Sequence, residues 1–349
     1  MPDRYAEILV VDLLGGIGDL VMLLPAVHGL ARRHPGARVR VLTHDPGADL
    51  VRADPAVAEV RTPRHGRPGA ERAAVAEALA ARRPDLAVST TRYDGIPELL
   101  EAAARRAVTN LWRDPPPDQP VGRRYLEILH AEGLLGDADR RAAPRVHLDE
   151  GARRAGERVL ARLAGASPVP PVALVTGAGM AVKHWPYGHW RRLASALTGR
   201  GHPVLTVGPV DRADPLGLPL PRADLPTLAG QFAALARRGG VVVGPDTGPV
   251  RLAAAAGAPT VALFGPTDAR RYGIGGADLQ GAPDCPHRLP TAITEQPCWW
   301  QARCPLDPAG PACMAALDPA VVLDAVTAAA GRNPSAPGPG RADGPPSGR

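Results

Sequence analysis

The 349 residues are 45% hydrophobic and 22% charged, with a net charge of +6. At ~150 residues per domain this length amounts to about two domains. These proportions exclude global disorder, and an aromatic content of 3% speaks against a nucleic-acid binder that stacks bases on rings. The modest positive charge fits an anionic substrate, a membrane surface or simple solubility.

The longest apolar stretch, Ile8 to Leu30, is interrupted by Asp12 and Asp19, and a membrane span needs ~20 nearly uncharged residues. No basic region precedes it, so it does not read as a signal peptide. A cytosolic enzyme of bacterial type is the expectation. The 4 cysteines are too few for a disulfide scaffold. Among 41 Lys plus Arg residues the one lysine is Lys183, the mark of a GC-rich genome drifting towards arginine.

In chain order, Glu7 to Leu13 is an apolar run suited to a buried parallel strand. Gly15, Gly16 and Gly18 follow, then an amphipathic helix from Asp19 to Arg33 that Pro35 and Gly36 end. Strands are predicted at Arg38 to Thr43 and Asp85 to Ser89, with a helix from about Gly69 to Arg83. Residues 134–170 carry one helix pattern, Asp149 to Leu163, and Ala166 to Pro171 reads as a linker. Alternation then restarts with strand Val172 to Thr176, helix Gly188 to Thr198 and strand Pro203 to Gly208. Helix Leu225 to Arg238, strand Gly240 to Gly244, helix Thr247 to Ala256 and strand Pro259 to Phe264 follow. Such alternation predicts α/β architecture with two doubly wound parallel sheets. The expected domains are 1–165 and 166–330, with a ligand in the cleft between them at the carboxyl ends of the strands. Residues 331–349 hold 5 Gly and 5 Pro and should be disordered.

Three constellations carry chemistry. Gly15-Gly16-Ile17-Gly18-Asp19 joins a strand to a helix, where glycines admit a ligand and the helix start attracts anions. Its glycines stand at offsets 0, 1 and 3, so it is not the dinucleotide fingerprint GxGxxG. Asp19 alone also reads as an ordinary first-turn carboxylate. Gly244 to Leu252 (GPDTGPVRL) follows a buried strand and opens a helix. Asp246 or Thr247 can cap that helix, its free N–H groups suit a phosphate, and Arg251 lies one turn on. Lys183 stands in a loop after a strand, where a compact ammonium could meet a pyrophosphate. Trp185 and Trp190 read as core or cleft wall. Asp137-Ala138-Asp139 reads as a solvated loop, not a metal-holding DxD. Cys285, Cys298, Cys304 and Cys313 fall within 29 residues but lack any CxxC, which gives weak support to zinc and predicts at most a local cluster.

Together, Ile8 to Leu30 (ILVVDLLGGIGDLVMLLPAVHGL), Lys183 to Leu197 (KHWPYGHWRRLASAL) and Val242 to Gly273 (VVGPDTGPVRLAAAAGAPTVALFGPTDARRYG) resemble glycosyltransferase family 9, the ADP-heptose:lipopolysaccharide heptosyltransferases. The match covers both domains in order to about residue 330, and Pro297 to Met314 looks like the cysteine-bearing loop of many members. The resemblance implies a GT-B fold of two Rossmann-like domains, inversion at the anomeric carbon and no metal. It implies an N-terminal acceptor domain and a C-terminal domain that binds a nucleoside-diphosphate sugar, an ADP-heptose-like donor. Asp19 matches the general base and Lys183 the lysine at the donor phosphates. Asp246 matches an aspartate near the donor sugar, and Thr247 and Gly248 the phosphate-binding helix start. Many members have histidine where this chain has Arg251. The acceptor stays open: a glycan, as in lipopolysaccharide, or a small antibiotic-type molecule. Alternatives are a GT-B transferase with another donor, a nucleotide-sugar epimerase, or a non-catalytic sugar-nucleotide-binding relative. The expected location is the cytoplasm, with at most peripheral contact at the inner membrane face and no nucleic-acid partner.

Overall fold

A computed structural model describes residues 5–64, 67–208 and 215–330; the tail expected to be disordered, 331–349, lies outside them. The first part of the chain runs β1 (Glu7–Asp12), α1 (Ile17–Arg33), β2 (Arg38–Thr43), β3 (Glu59–Arg61), α2 (Ala70–Ala81), β4 (Leu86–Ser89), α3 (Ile96–Ala103), β5 (Arg106–Val108) and α4 (Val121–Ala131). The second runs α5 (Glu150–Ala164), β6 (Val172–Val175), α6 (Tyr187–Gly199), β7 (Val204–Val207), β8 (Leu218–Pro219), α7 (Leu225–Arg237) and β9 (Val241–Pro245). It continues with α8 (Gly248–Ala255), β10 (Thr260–Phe264), α9 (Ala269–Tyr272), β11 (Ala277–Gln280), α10 (Ala312–Ala315) and α11 (Pro319–Ala330).

The strands form two parallel sheets, ordered β3-β2-β1-β4-β5 and β11-β10-β9-β6-β7-β8. The interior of β1, Ile8–Val11, and all of β6 are apolar and buried, as expected of parallel strands covered on both faces. Val10 of β1 pairs in register with Val41 and Val88, and Leu174 of β6 with Thr206 and Val243. The strand order reverses between β1 and β4 in the first sheet and between β6 and β9 in the second. The carboxyl ends at such reversals open a crevice for ligands, and both open into the same interdomain cleft.

With 2 Phe, 5 Trp and 5 Tyr in the chain, the cores are packed from Ala, Val and Leu. Trp185 and Trp190 are buried edge to face at 4.7 Å, and Trp185 Nε1 donates to the Leu317 carbonyl at 3.0 Å. They are core, which ties α6 to α11. Helix α5 packs on α7, and Gly156 and Gly230 permit this crossing: a Cβ on either would strike the facing helix backbone. The boundary expected at 165/166 gives α5 to the first domain, whereas its packing joins it to the second sheet. The chain has already crossed at Val146, whose N–H donates to the Ala255 carbonyl. The domains also touch at the cleft, where α1 lies on α8.

Candidate active site

A cleft of about 760 Å³ lies between the two sheets' carboxyl ends. Its walls include all nine residues singled out by sequence: Gly15, Gly16, Gly18, Asp19, Lys183, Asp246, Thr247, Gly248 and Arg251.

Each glycine of the first loop has a distinct structural reason. Gly15 has φ +85°, a left-handed backbone that glycine adopts without strain. A Cβ at Gly16 would occupy the space of the Asp19 carboxylate. A Cβ at Gly18 would press on the Arg251 side chain at 3.0 Å, and one at Gly248 on Ile17 Cβ at 2.9 Å. Gly18 and Gly248 therefore let the two helix starts meet across the cleft. Asp19 sits in the first turn of α1, with its carboxylate turned back to the Gly16 backbone. Burial raises its pKa, and Asp246 adds to that. Arg251, Lys183 and the Gly16 N–H pull it down without cancelling the rise.

The second wall is an ion triad. Lys183 Nζ meets Asp246 Oδ2 at 3.0 Å and the Asp246 carbonyl at 3.1 Å. Arg251 Nη2 donates to Asp246 Oδ1 and to the Tyr272 carbonyl, both at 2.5 Å. Burial alone would raise the Asp246 pKa, but the Arg251 and Lys183 charges hold it at about 2. Two sequence expectations change here. Neither Asp246 nor Thr247 caps α8: both Asp246 oxygens are engaged in the triad, and Thr247, the N-cap, makes no side-chain cap bond. Arg251, 6% exposed, turns back onto Asp246. The α8 start is left with N–H groups unmet by any side-chain cap, beside a buried Thr247 hydroxyl that has no partner.

Two further residues escaped the sequence reading. Trp299 lines the cleft with its ring 5.4 Å from Lys183 Nζ; its signal was the Trp299-Trp300 pair inside the cysteine-bearing loop. Trp299 packs with Val182 and Cys298, so this loop props the lysine. All four cysteines are free thiols, near enough to influence one another's ionisation. Burial pushes Cys313 up to about 11. Among the described residues no three His, Cys, Asp or Glu side chains are grouped to hold a metal ion. Asp137 is exposed and pairs with His130 and Arg140, while Asp139 pairs with Arg32.

The other missed residue is Asp12, at the end of β1 and 1% exposed. It accepts a 2.5 Å bond from Thr90 Oγ1. No cation offsets its burial, which raises its pKa to about 7, against the Thr90 bond and with help from Asp19. A carboxyl with a raised folded-state pKa stabilises the fold below pH ~4 and loses that stabilisation as pH climbs through 7. Unfolding free energy should therefore decline by roughly 4 kcal/mol across that window on this account alone. Urea titrations at pH 5 and 8 check it: Asp12→Asn should flatten the decline, and an unaltered slope would mean that Asp12 is ionised in the fold.

The model of the family described as glycosyltransferase family 9 (heptosyltransferase) matches residues 107–281, half of the chain. A lipopolysaccharide heptosyltransferase 1 of Pseudomonas aeruginosa is 36% identical over 148 residues. That alignment spans 39% of this chain and 41% of the relative. The solved structure of a family 9 glycosyl transferase from Veillonella parvula superposes with a TM-score of 0.76 at 15% identity, over 95% of this chain and 98% of that one. The E. coli heptosyltransferase WaaC with ADP-2-deoxy-2-fluoro heptose superposes with a TM-score of 0.59 at 20% identity, over 83% and 98% of the two chains. The architecture common to these structures, two parallel-sheet domains facing a cleft, is GT-B.

Proposed function

The chain belongs to glycosyltransferase family 9, and we propose that it is an inverting, metal-independent glycosyltransferase. It would move a heptose from a nucleoside-diphosphate sugar to an acceptor hydroxyl on a glycan or small molecule. The donor class rests on the family and on the fold shared with a heptosyltransferase solved with an ADP-heptose analogue.

The observation that carries the reading is the meeting in one cleft of a base-like carboxylate and a helix start that offers cations beside the uncapped Gly248 and Val250 N–H groups. An acceptor hydroxyl is a poor nucleophile, so a carboxylate must take its proton as the oxygen attacks. Asp19, with its raised proton affinity, is placed for that. Opposite it, the nucleoside diphosphate leaves with growing negative charge. Lys183, the Thr247 hydroxyl and the α8 N–H groups can receive that charge in place of a metal. Asp246 holds Lys183 over the Trp299 ring, a three-way fit for a compact ammonium that a broad guanidinium would not match. Arg251 then anchors Asp246 and contributes to the phosphates only through its charge.

From its family we place the protein in the cytoplasm, with at most peripheral contact at the inner membrane face; no helix among the described residues is long and apolar enough to cross a membrane. Incubation with ADP-heptose, with product detection by mass spectrometry and anomeric assignment by NMR, tests the donor and the inversion. Calorimetry tests the site. Lys183→Ala should weaken ADP binding by about 1.5–3 kcal/mol, the scale of a charge-assisted hydrogen bond, and a chelator should change nothing. Equal affinity in the variant, or binding lost with chelator, overturns the assignment.

A further inference from the structure

Behind the contact of α1 with α8 lies a second interdomain cavity of about 440 Å³. Its wall carries Arg123, Arg140, Arg141, Arg251 and Arg271 against one carboxyl, Asp278. That carboxyl is of little help to the cations: burial raises its pKa, and it is taken up by the N–H groups of Ile274 and Gly275. Arg123 and Arg140 share Glu127, and Arg251 belongs to Asp246.

Two cations remain uncompensated. Arg141 has no ion-pair partner among the described residues. Arg271 is 1% exposed, yet no carboxylate pairs with it among the described residues. Its Nη1 donates to the Pro116 and Gln119 carbonyls at 3.0 and 3.4 Å, its guanidinium lies 5.6 and 5.7 Å from the Trp112 and Tyr272 rings, and its Nε has no partner. Buried charges are normally paired, because carbonyl dipoles replace hydration only in part.

The rest of the wall is apolar, with Met22 and Pro25 of α1 on one side and Ile274 on the other. Met22 and Arg251 also line the front cleft, so the two spaces adjoin. Along α1, Met22 is about 4.5 Å beyond Asp19 and Pro25 about 9 Å beyond it.

We propose that this rear cavity is a second anion site, separate from the donor cleft, for a phosphate group carried on an apolar moiety. Arg141 and Arg123 meet the anion at the rim, and Arg271 supplies the buried positive field. Whether the phosphate arrives on the acceptor or on a free effector, the chemistry recognised is the same; the first of these sources rests on the transferase reading above, and the site itself does not.

Calorimetry on the full chain tests it with three probes: inorganic phosphate, hexyl phosphate and ADP. The Arg123→Gln/Arg141→Glu variant should bind both phosphates at least tenfold more weakly and ADP within twofold of the parent; retained ADP binding shows that it has folded. Lys183→Ala should do the reverse. Hexyl phosphate should bind more tightly than inorganic phosphate in the parent. The proposal is overturned if both phosphates follow Lys183→Ala alone, if neither binds saturably, or if the alkyl chain gives no gain. For the source, an acceptor KM raised by the double variant assigns the phosphate to the acceptor. An unchanged KM with a rate that responds to hexyl phosphate assigns it to an effector. Loss of transfer activity with phosphate binding intact would count against the transferase reading and leave this site standing.

Discussion

Asp19→Asn is expected to lower kcat by roughly 10²-fold or more while ADP binds with nearly parental affinity. The substitution keeps the size of the side chain and its reach to the Gly16 backbone, and it removes the capacity to accept a proton. The elements proposed to bind ADP, Lys183 and the start of α8, stand on the other domain and should feel little beyond the loss of one nearby negative charge. That loss should favour the anionic diphosphate slightly. The pH profile gives a second readout. Because burial raises the Asp19 pKa, the acid limb of kcat/KM should lie above the ordinary carboxylate range, and the residual activity of Asp19→Asn should lack it. A near-normal rate in that variant would reduce Asp19 to a helix-start carboxylate. An acid limb that survives the substitution would move the base elsewhere, with buried Asp12, whose pKa Asp19 helps to raise, the carboxyl to examine.

Much of the fold was legible because buried parallel strands are unbroken apolar runs and their crossover helices carry a 3.6-residue apolar repeat. β2 was read to its observed bounds, and α1, β9 and α8 to within two residues. What was not read has a physical pattern. β3 and β5 are three-residue edge strands containing arginine, too short for any periodicity to register. α4 begins with Val121-Gly122-Arg123-Arg124, and its apolar stripe emerges only later. The boundary near 166 followed a Pro-rich segment, whereas the place of α5 is decided by a glycine-to-glycine crossing with α7 that no local pattern announces.

The site divides in the same way. Residue types and spacing pointed to every wall residue singled out, because glycines between strand and helix and a lone lysine are local signals. Partnership was not legible. Spacing sets Arg251 one turn from a helix start suited to phosphate, and the family resemblance sets Asp246 near the donor sugar, yet in the fold the two pair with each other. Asp12 looked like a mere interruption of an apolar run; its meaning depends on Thr90, 78 positions away.

That partnership sets the largest stability effect. Asp246 is the one anion of a triad in which Arg251 is 6% exposed and Lys183 has a side chain 16% exposed. Removing one member of a buried ion group leaves its partners charged and unpaired, which typically costs about 3–5 kcal/mol. Lys183 can swing into the open cleft and regain water, but Arg251 cannot. Asp246→Asn should therefore destabilise the fold by roughly 3–5 kcal/mol in urea titrations at pH 7, and Asp246→Asn/Arg251→Met should recover much of that loss. The pH dependence has the opposite sign to that of Asp12. A carboxylate held at about pKa 2 stabilises the fold above its unfolded value near 4 and loses that contribution as pH falls towards 2. In the parent this acid-side loss should be about 2 kcal/mol, and it should vanish in Asp246→Asn. Freed of its carboxylate, Lys183 should hold bare ADP at least as tightly as before, whereas turnover should fall, because the ammonium is no longer fixed over Trp299. An Asp246→Asn protein as stable as the parent would mean that Arg251 finds another anion or water, and that the triad is not what fastens α8 to the Lys183 loop.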